Sequence, residues 1–273
     1  IDNIVYKKID TEVLEMLAFM PQNDNDELHP CLIYLHGGGW GKGDRYRAKR
    51  RDVIEVIRDL SNKNYISFSI EYRLTDVEKG ITAMESVADC KDAVRYIIKN
   101  SEKWNIDPTK ISLFGTSAGA HLAMVTALAP DSEFEVDPGL KDINVEVNSA
   151  ISYYGPTSFI NEDLSIGNFK NPSRMIPILG GLLEDKMEVA KNLSPVEWMS
   201  NDMPAVMLVH GITDSTVSYK HAEYMKANAD INDFPVEMIL VEGAGHGFKG
   251  DNINPDLGTI KNKTVRFILE NNK

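Results

Sequence analysis

The chain has 273 residues, with 41 acidic against 29 basic ones and a formal charge of −12. That length fits one large α/β domain or two small ones, and the apolar content suffices for a sizeable core. So negative a balance repels polyanions, which argues against a nucleic-acid partner, and no apolar run reaches the ~18 residues that a membrane span needs.

The chain opens on Ile1 rather than Met. A removed leader, and with it a secreted or periplasmic location, is one expectation; a cytoplasmic location is the other. Segments 6–9 and 13–20 read as two strands with a tight connection, and 21–30 is a polar turn. The run 31–36 is short and apolar, as in a buried strand, and it contains Cys31. Segment 47–62 has helical apolar spacing through Val53, Ile54, Ile57 and Leu60. Its basic start, Arg45 to Arg51, reads as a solvated first turn rather than an anion site. A β-branched and aromatic strand follows at 65–72, then a helix at 82–102 that carries Cys90. Neither cysteine has a metal-ligand spacing, so two buried free thiols are expected, with a disulfide as the alternative. Strand 110–114, helix 118–129 and strand 149–155 come next.

The alternation then breaks. Segment 156–203 mixes Pro and Gly with short helical pieces, the kind of excursion that covers a site. It is expected to be a lid-like insertion in a single 1–273 domain. Strand 205–211, helix 217–228, strand 236–243 and helix 257–271 close the chain. Eight strands with helices between them from the third onward imply right-handed crossovers and a mostly parallel sheet. The first two strands add an antiparallel edge. Ligands of such sheets bind beyond the carboxyl ends of the strands, so functional residues should follow strands directly.

Gly115-Thr116-Ser117-Ala118-Gly119 matches G-x-S-x-G between a strand and a helix. The geometry needs a serine on a sharp turn, and side chains at the two glycines would strike the neighbouring strand and helix. Ser117 is the expected nucleophile, at the positive end of its helix. His36-Gly37-Gly38-Gly39-Trp40 follows the third strand. Amides of Gly38 and Gly39, with that of Ala118, could hold an oxyanion. His36 is expected to brace that loop, and Trp40 either lines the cleft or packs.

Of the six histidines, His246 stands between glycines after the last strand and is the best general base. His29 falls in a polar turn, His121 one turn into the nucleophile helix, and His221 on a surface-like helix. Asp214 follows the seventh strand and can fix the imidazole. The order Ser117, Asp214, His246 is that of the α/β-hydrolase fold.

The run of motifs adds a resemblance. H-G-G-G-W, Glu71 to Leu74, Asp89 to Tyr96, G-T-S-A-G-A-H-L-A, S-Y-Y-G-P, Leu193 to Pro195, H-G-x-x-D and G-A-G-H-G-F succeed one another over roughly residues 5 to 270. This resembles the hormone-sensitive-lipase-like α/β hydrolases, within them the bacterial carbohydrate-acetyl and feruloyl esterases. The resemblance implies hydrolysis of small carboxylic esters without a cofactor or metal. It matches Ser117, Asp214 and His246 to the triad and Gly38, Gly39 and Ala118 to the oxyanion donors. It gives Glu71 and Arg73 a bracing role near the oxyanion loop. The long N-terminal helical cap of many relatives is missing, which disfavours long-chain lipids. Short acyl groups would sit near Tyr153, Tyr154 and Pro156, with Tyr154 and Trp40 as substrate contacts. The expected activity is deacetylation of a carbohydrate, with feruloyl ester or formyl-amide cleavage, or a silent binding protein, as alternatives.

Overall fold

The computed structural model describes residues 1–10, 12–21, 27–164 and 171–273. Residues 22–26 of the expected 21–30 turn and 165–170 of the 156–203 segment lie outside these residues. The strands are β1 (Ile4–Ile9), β2 (Glu12–Phe19), β3 (His29–Leu35), β4 (Ile66–Ile70), β5 (Ile106–Thr116), β6 (Ser149–Tyr153), β7 (Ala205–Gly211) and β8 (Val236–Val241). They form one eight-stranded sheet in the order β1-β2-β4-β3-β5-β6-β7-β8. β2 runs antiparallel to both β1 and β4, and every pair from β4 to β8 is parallel. This is the expected α/β-hydrolase architecture, with its antiparallel edge.

Burial explains the strand sequences. β4 and β6 are buried at every residue, so they read as continuous apolar runs with small polar insertions. In β3, Cys31, Ile33 and Leu35 enter the core on one face, and Leu32 and Tyr34 enter the other. Edge strand β1 buries one residue in six.

The helices are α1 (Arg51–Ser61), α2 (Ala83–Lys99), α3 (Ala118–Leu128), α4 (Pro172–Leu179), α5 (Met187–Asn192), α6 (Lys220–Asn232) and α7 (Leu257–Asn271). On one face, α1 and α7 pack through Val53, Ile57, Ile260 and Phe267. On the other, α2 and α3 pack through Val87, Val94, Leu122 and Val125. α4 and α5 lie between β6 and β7, within the irregular segment. α2 starts at a capping box: Thr82 Oγ1 accepts from Met84 N, and Glu85 accepts from Thr82 N. No helix among the described residues is long and apolar enough to cross a membrane.

Several local expectations need correction. The basic run is not one solvated turn. Arg45–Lys49 is a separate 3-10 turn, and Arg45 is buried in ion pairs with Asp2, Glu15 and Glu71. His29 opens β3 and is buried, with Nδ1 3.0 Å from the Asn64 carbonyl. His221 is not on the surface either. It is buried, and its carbonyl accepts from Thr157 Oγ1. In each case a tertiary partner lies far away in sequence, which local polarity does not reveal. Both cysteines are buried free thiols.

Candidate active site

Ser117 stands between β5 and α3 with φ +55°, a strained backbone for a residue that is not glycine. The elbow glycines are required by close approach. A Cβ on Gly115 would lie 2.1 Å from Gly119 O, and one on Gly119 would lie 2.1 Å from Leu35 O. The first would strike helix α3 and the second strand β3. The turn can therefore close only with glycine at both places, and this closure lifts Ser117 above the sheet.

Three other strand ends on the same edge of the sheet complete the array. β7 leads to Asp214, and β8 leads to His246. His246 Nδ1 lies 2.7 Å from Asp214 Oδ2, and Nε2 lies 3.0 Å from Ser117 Oγ. With Nδ1–H donating to the carboxylate, Nε2 is free to accept the serine hydroxyl proton. Asp214 Oδ1 also accepts from Thr216 N at 2.8 Å and Val217 N at 2.9 Å. Burial alone would raise the Asp214 pKa. Hydrogen bonds from His210, His246 and Val217 N outweigh burial and hold it well below the usual carboxylate range. His210 Nε2 lies 3.4 Å from Asp214 Oδ2 and donates to the Val217 carbonyl at 2.9 Å. It is a second imidazole on the acid, supplied by the end of β7 just before Asp214 in the chain.

The third strand end is the glycine loop after β3. Gly38 has φ +140°, and a Cβ there would sit 1.7 Å from Lys42 O. Gly39 has φ +62°. Both glycines line a cavity of about 220 Å³ together with Ser117, Thr116, His246 and Tyr154. Ala118 opens α3 beside them. His36 braces the loop. It is fully buried, stacks on Tyr72 at 4.3 Å, and its carbonyl accepts from Tyr72 Oη at 2.6 Å.

Trp40 does not line the cavity. It is 2 % exposed, and its indole N–H donates to His121 Nδ1 at 3.2 Å. The opposite nitrogen, His121 Nε2, donates to Leu193 O at 2.6 Å. One imidazole thus ties the glycine loop to the irregular segment. Tyr154 does reach the cavity. Its ring stands edge-to-face on His246 at 4.9 Å, and its hydroxyl donates to Asp52 at 2.8 Å. Tyr153 instead packs in the core, with its hydroxyl against Thr264. Glu71 pairs with Arg45 and Arg73 with Asp89, so both are structural ion-pair residues.

Sequence reasoning missed the cationic wall. Arg47, Arg50, Arg174 and Lys249 line the same cavity as the serine. The available signal was the basic run directly after the glycine loop.

The profile of the BD-FAE family matches residues 16–228. The chain belongs to the BD-FAE family. Relatives of this BD-FAE chain include the Mycobacterium tuberculosis protein named "Probable carboxylic ester hydrolase LipM", 27% identical over 235 residues, 84% of this chain and 51% of the relative. The Arabidopsis thaliana isoprenylcysteine alpha-carbonyl methylesterase ICME is 24% identical over 236 residues, 84% of this chain and 52% of the relative. The chain thus spans about half the length of these curated relatives. Among solved structures, native esterase 2 of Thermogutta terrifontis superposes with TM-score 0.79 at 23% identity, covering 97% of this chain and 90% of that one. The likeness to that esterase shows a shared fold.

Proposed function

We propose that this protein is a serine carboxylesterase that removes short acyl groups through an acyl-enzyme on Ser117, with an acetylated carbohydrate as its substrate. The observation that carries this reading is the Asp214–His246–Ser117 relay, with distances of 2.7 and 3.0 Å, opening into the cavity bordered by Gly38 and Gly39. His246 takes the Ser117 proton as Oγ attacks the ester carbonyl. The amides of Gly38, Gly39 and Ala118 hold the oxyanion, each worth about 3–4 kcal/mol of barrier. His246 then protonates the departing alcohol. Water enters, His246 accepts its proton, and the acyl group leaves as the free acid.

The esterase relatives support ester hydrolysis, and the small cavity supports a short acyl group. The 156–203 segment serves as a short lid, anchored by the Leu193 carbonyl on His121. Carbohydrate deacetylation rests on the resemblance to bacterial acetyl and feruloyl esterases.

The test is Ser117→Ala measured on p-nitrophenyl acetate. Turnover should fall by about 10⁶-fold, toward the residual left by binding and the oxyanion hole. Full activity in that variant would end the reading. A panel of acetylated xylan, acetylated mannan, methyl ferulate and formyl-kynurenine then assigns the substrate. Highest turnover on either of the last two would displace the carbohydrate acetate.

A further inference from the structure

The cavity wall is cationic in an otherwise acidic protein. The chain carries 41 acidic and 29 basic residues, yet Arg47, Arg50, Arg174 and Lys249 line the cavity and no carboxylate among the described residues does. Composition alone predicts the opposite.

The guanidinium groups lie against the loops that carry the chemistry. A Cβ built on Gly39 would meet Arg174 Nη2 at 2.8 Å, and one on Gly43 would meet Arg47 Nε at 2.8 Å. At Gly247, next to the catalytic base, Arg50 Nη2 would lie 3.4 Å away. Of these four, among the described residues, only Arg50 has a carboxylate neighbour, Asp52 at 3.2 Å, which also accepts from Tyr154. Among the described residues, Arg47, Arg174 and Lys249 have no carboxylate within ion-pair distance.

Helix electrostatics make the placement costly. Arg50 and Arg51 sit at the N-terminal end of α1, and Arg174 sits in the first turn of α4, which has no acidic residue there. Cations at the positive end of a helix are unfavourable. Such local conflicts concentrate at functional sites. Low-dielectric walls of one sign also focus field into a cleft and attract oppositely charged ligands.

We infer that the substrate ester carries a carboxylate near the scissile bond, held by Arg47 and Arg174. The inference rests on the esterase reading above. With an acetyl group on Ser117, that carboxylate belongs to the alcohol half, so the substrate is an acetylated sugar acid rather than an acetylated neutral sugar. A guanidinium fork matches a carboxylate by paired N–H donors, which a hydroxymethyl group cannot replace.

The experiment compares mono-acetylated methyl glucuronoside with mono-acetylated methyl glucoside, which differ by one carboxylate. At low salt, kcat/KM should favour the uronoside by about tenfold or more, as two near charge contacts would give. The preference should shrink at about 0.5 M NaCl, where exposed charges are screened. Arg47→Gln and Arg174→Gln should each lower the uronoside-to-glucoside ratio several-fold, and Arg47→Lys should keep most of it. Equal turnover of the two sugars at low salt, with Ser117-dependent activity intact, overturns the inference and leaves the esterase reading standing. A binding arm separates the two in the other direction. Ser117→Ala should bind methyl glucuronoside more tightly than methyl glucoside by calorimetry, and the difference should shrink several-fold when Arg47→Gln is added. That binding result, together with a parent protein that hydrolyses neither ester, retains the anion site and removes the esterase. Equal binding of the two glycosides counts against the anion site.

Discussion

Ser117 is held in place by atoms it does not touch. Its φ of +55° is kept because Gly115 and Gly119 let β3, β5 and α3 meet at backbone contact. Asp214 is held just as firmly, accepting from Thr216 N, Val217 N and His246. Its charge is set by these donors, so an uncharged replacement of the same shape isolates the electrostatic role. Asp214→Asn should lower kcat on p-nitrophenyl acetate by about 10⁴-fold, because the amide offers His246 the wrong tautomer. Circular dichroism of the variant should match the parent. A loss below tenfold would assign the orienting role to another residue, with His210 the first to test.

At the scale of elements, the site depends on how α2 is fastened to the sheet edge. Asp89 is fully buried and accepts from Lys7 of β1 at 2.7 Å and from Arg73 Nε at 2.8 Å. Asp92 accepts from Lys7 at 2.6 Å and from Arg95 at 2.9 Å. Arg73 follows β4, so the network joins β1, β4 and α2. Close by, Thr75 N donates to Trp40 O at 3.1 Å, which carries the fastening to the glycine loop. Removing one partner of a buried ion pair strands the others and costs about 3–5 kcal/mol. Asp89→Asn should therefore lower the urea midpoint at unchanged m by that amount. A shift below about 1 kcal/mol would mean that water reaches these charges.

Across the whole molecule, buried histidines couple stability to pH. Burial pushes His36 and His121 down to about 4 and His221 down to about 3. Each is neutral in the fold, whereas the unfolded chain protonates near pH 6.5. The unfolded state thus binds more protons below that pH, and stability falls as pH drops. The contribution is complete above about pH 6.5 and is lost progressively down to about pH 4 for His36 and His121 and to about pH 3 for His221, at roughly 3 kcal/mol for each of the first two and roughly 5 kcal/mol for the third. Asp214, depressed as well, loses its share only in stronger acid, below the ordinary carboxylate range. Urea midpoints should fall steeply from pH 6.5 to 4. A flat profile there would show that these imidazoles stay solvated.

The fold and the Ser117, His246 and Asp214 array at the strand ends were legible because their signals are local. Strand-end glycines, a serine between strand and helix, and the order Ser117, Asp214, His246 are each carried by short stretches of chain. The buried strands read as apolar runs because a parallel sheet covered on both faces permits little else. The tertiary structure decided what depends on distant partners. His29 and His221 looked exposed in polar contexts, yet Asn64 and Thr157 receive them inside. Trp40 was open between cleft and core, and the position of His121 in α3 settled it for the core. The run from Arg45 to Arg51 looked like one solvated turn. The chain divides it, sending Arg45 to Asp2, Glu15 and Glu71 and turning Arg47 and Arg50 toward Ser117. The sequence by itself determined which groups can do acyl chemistry, since that is written in residue type and order. Only the tertiary structure decided which charges face the cleft, because a side chain's surroundings are set by segments that meet it from elsewhere in the chain.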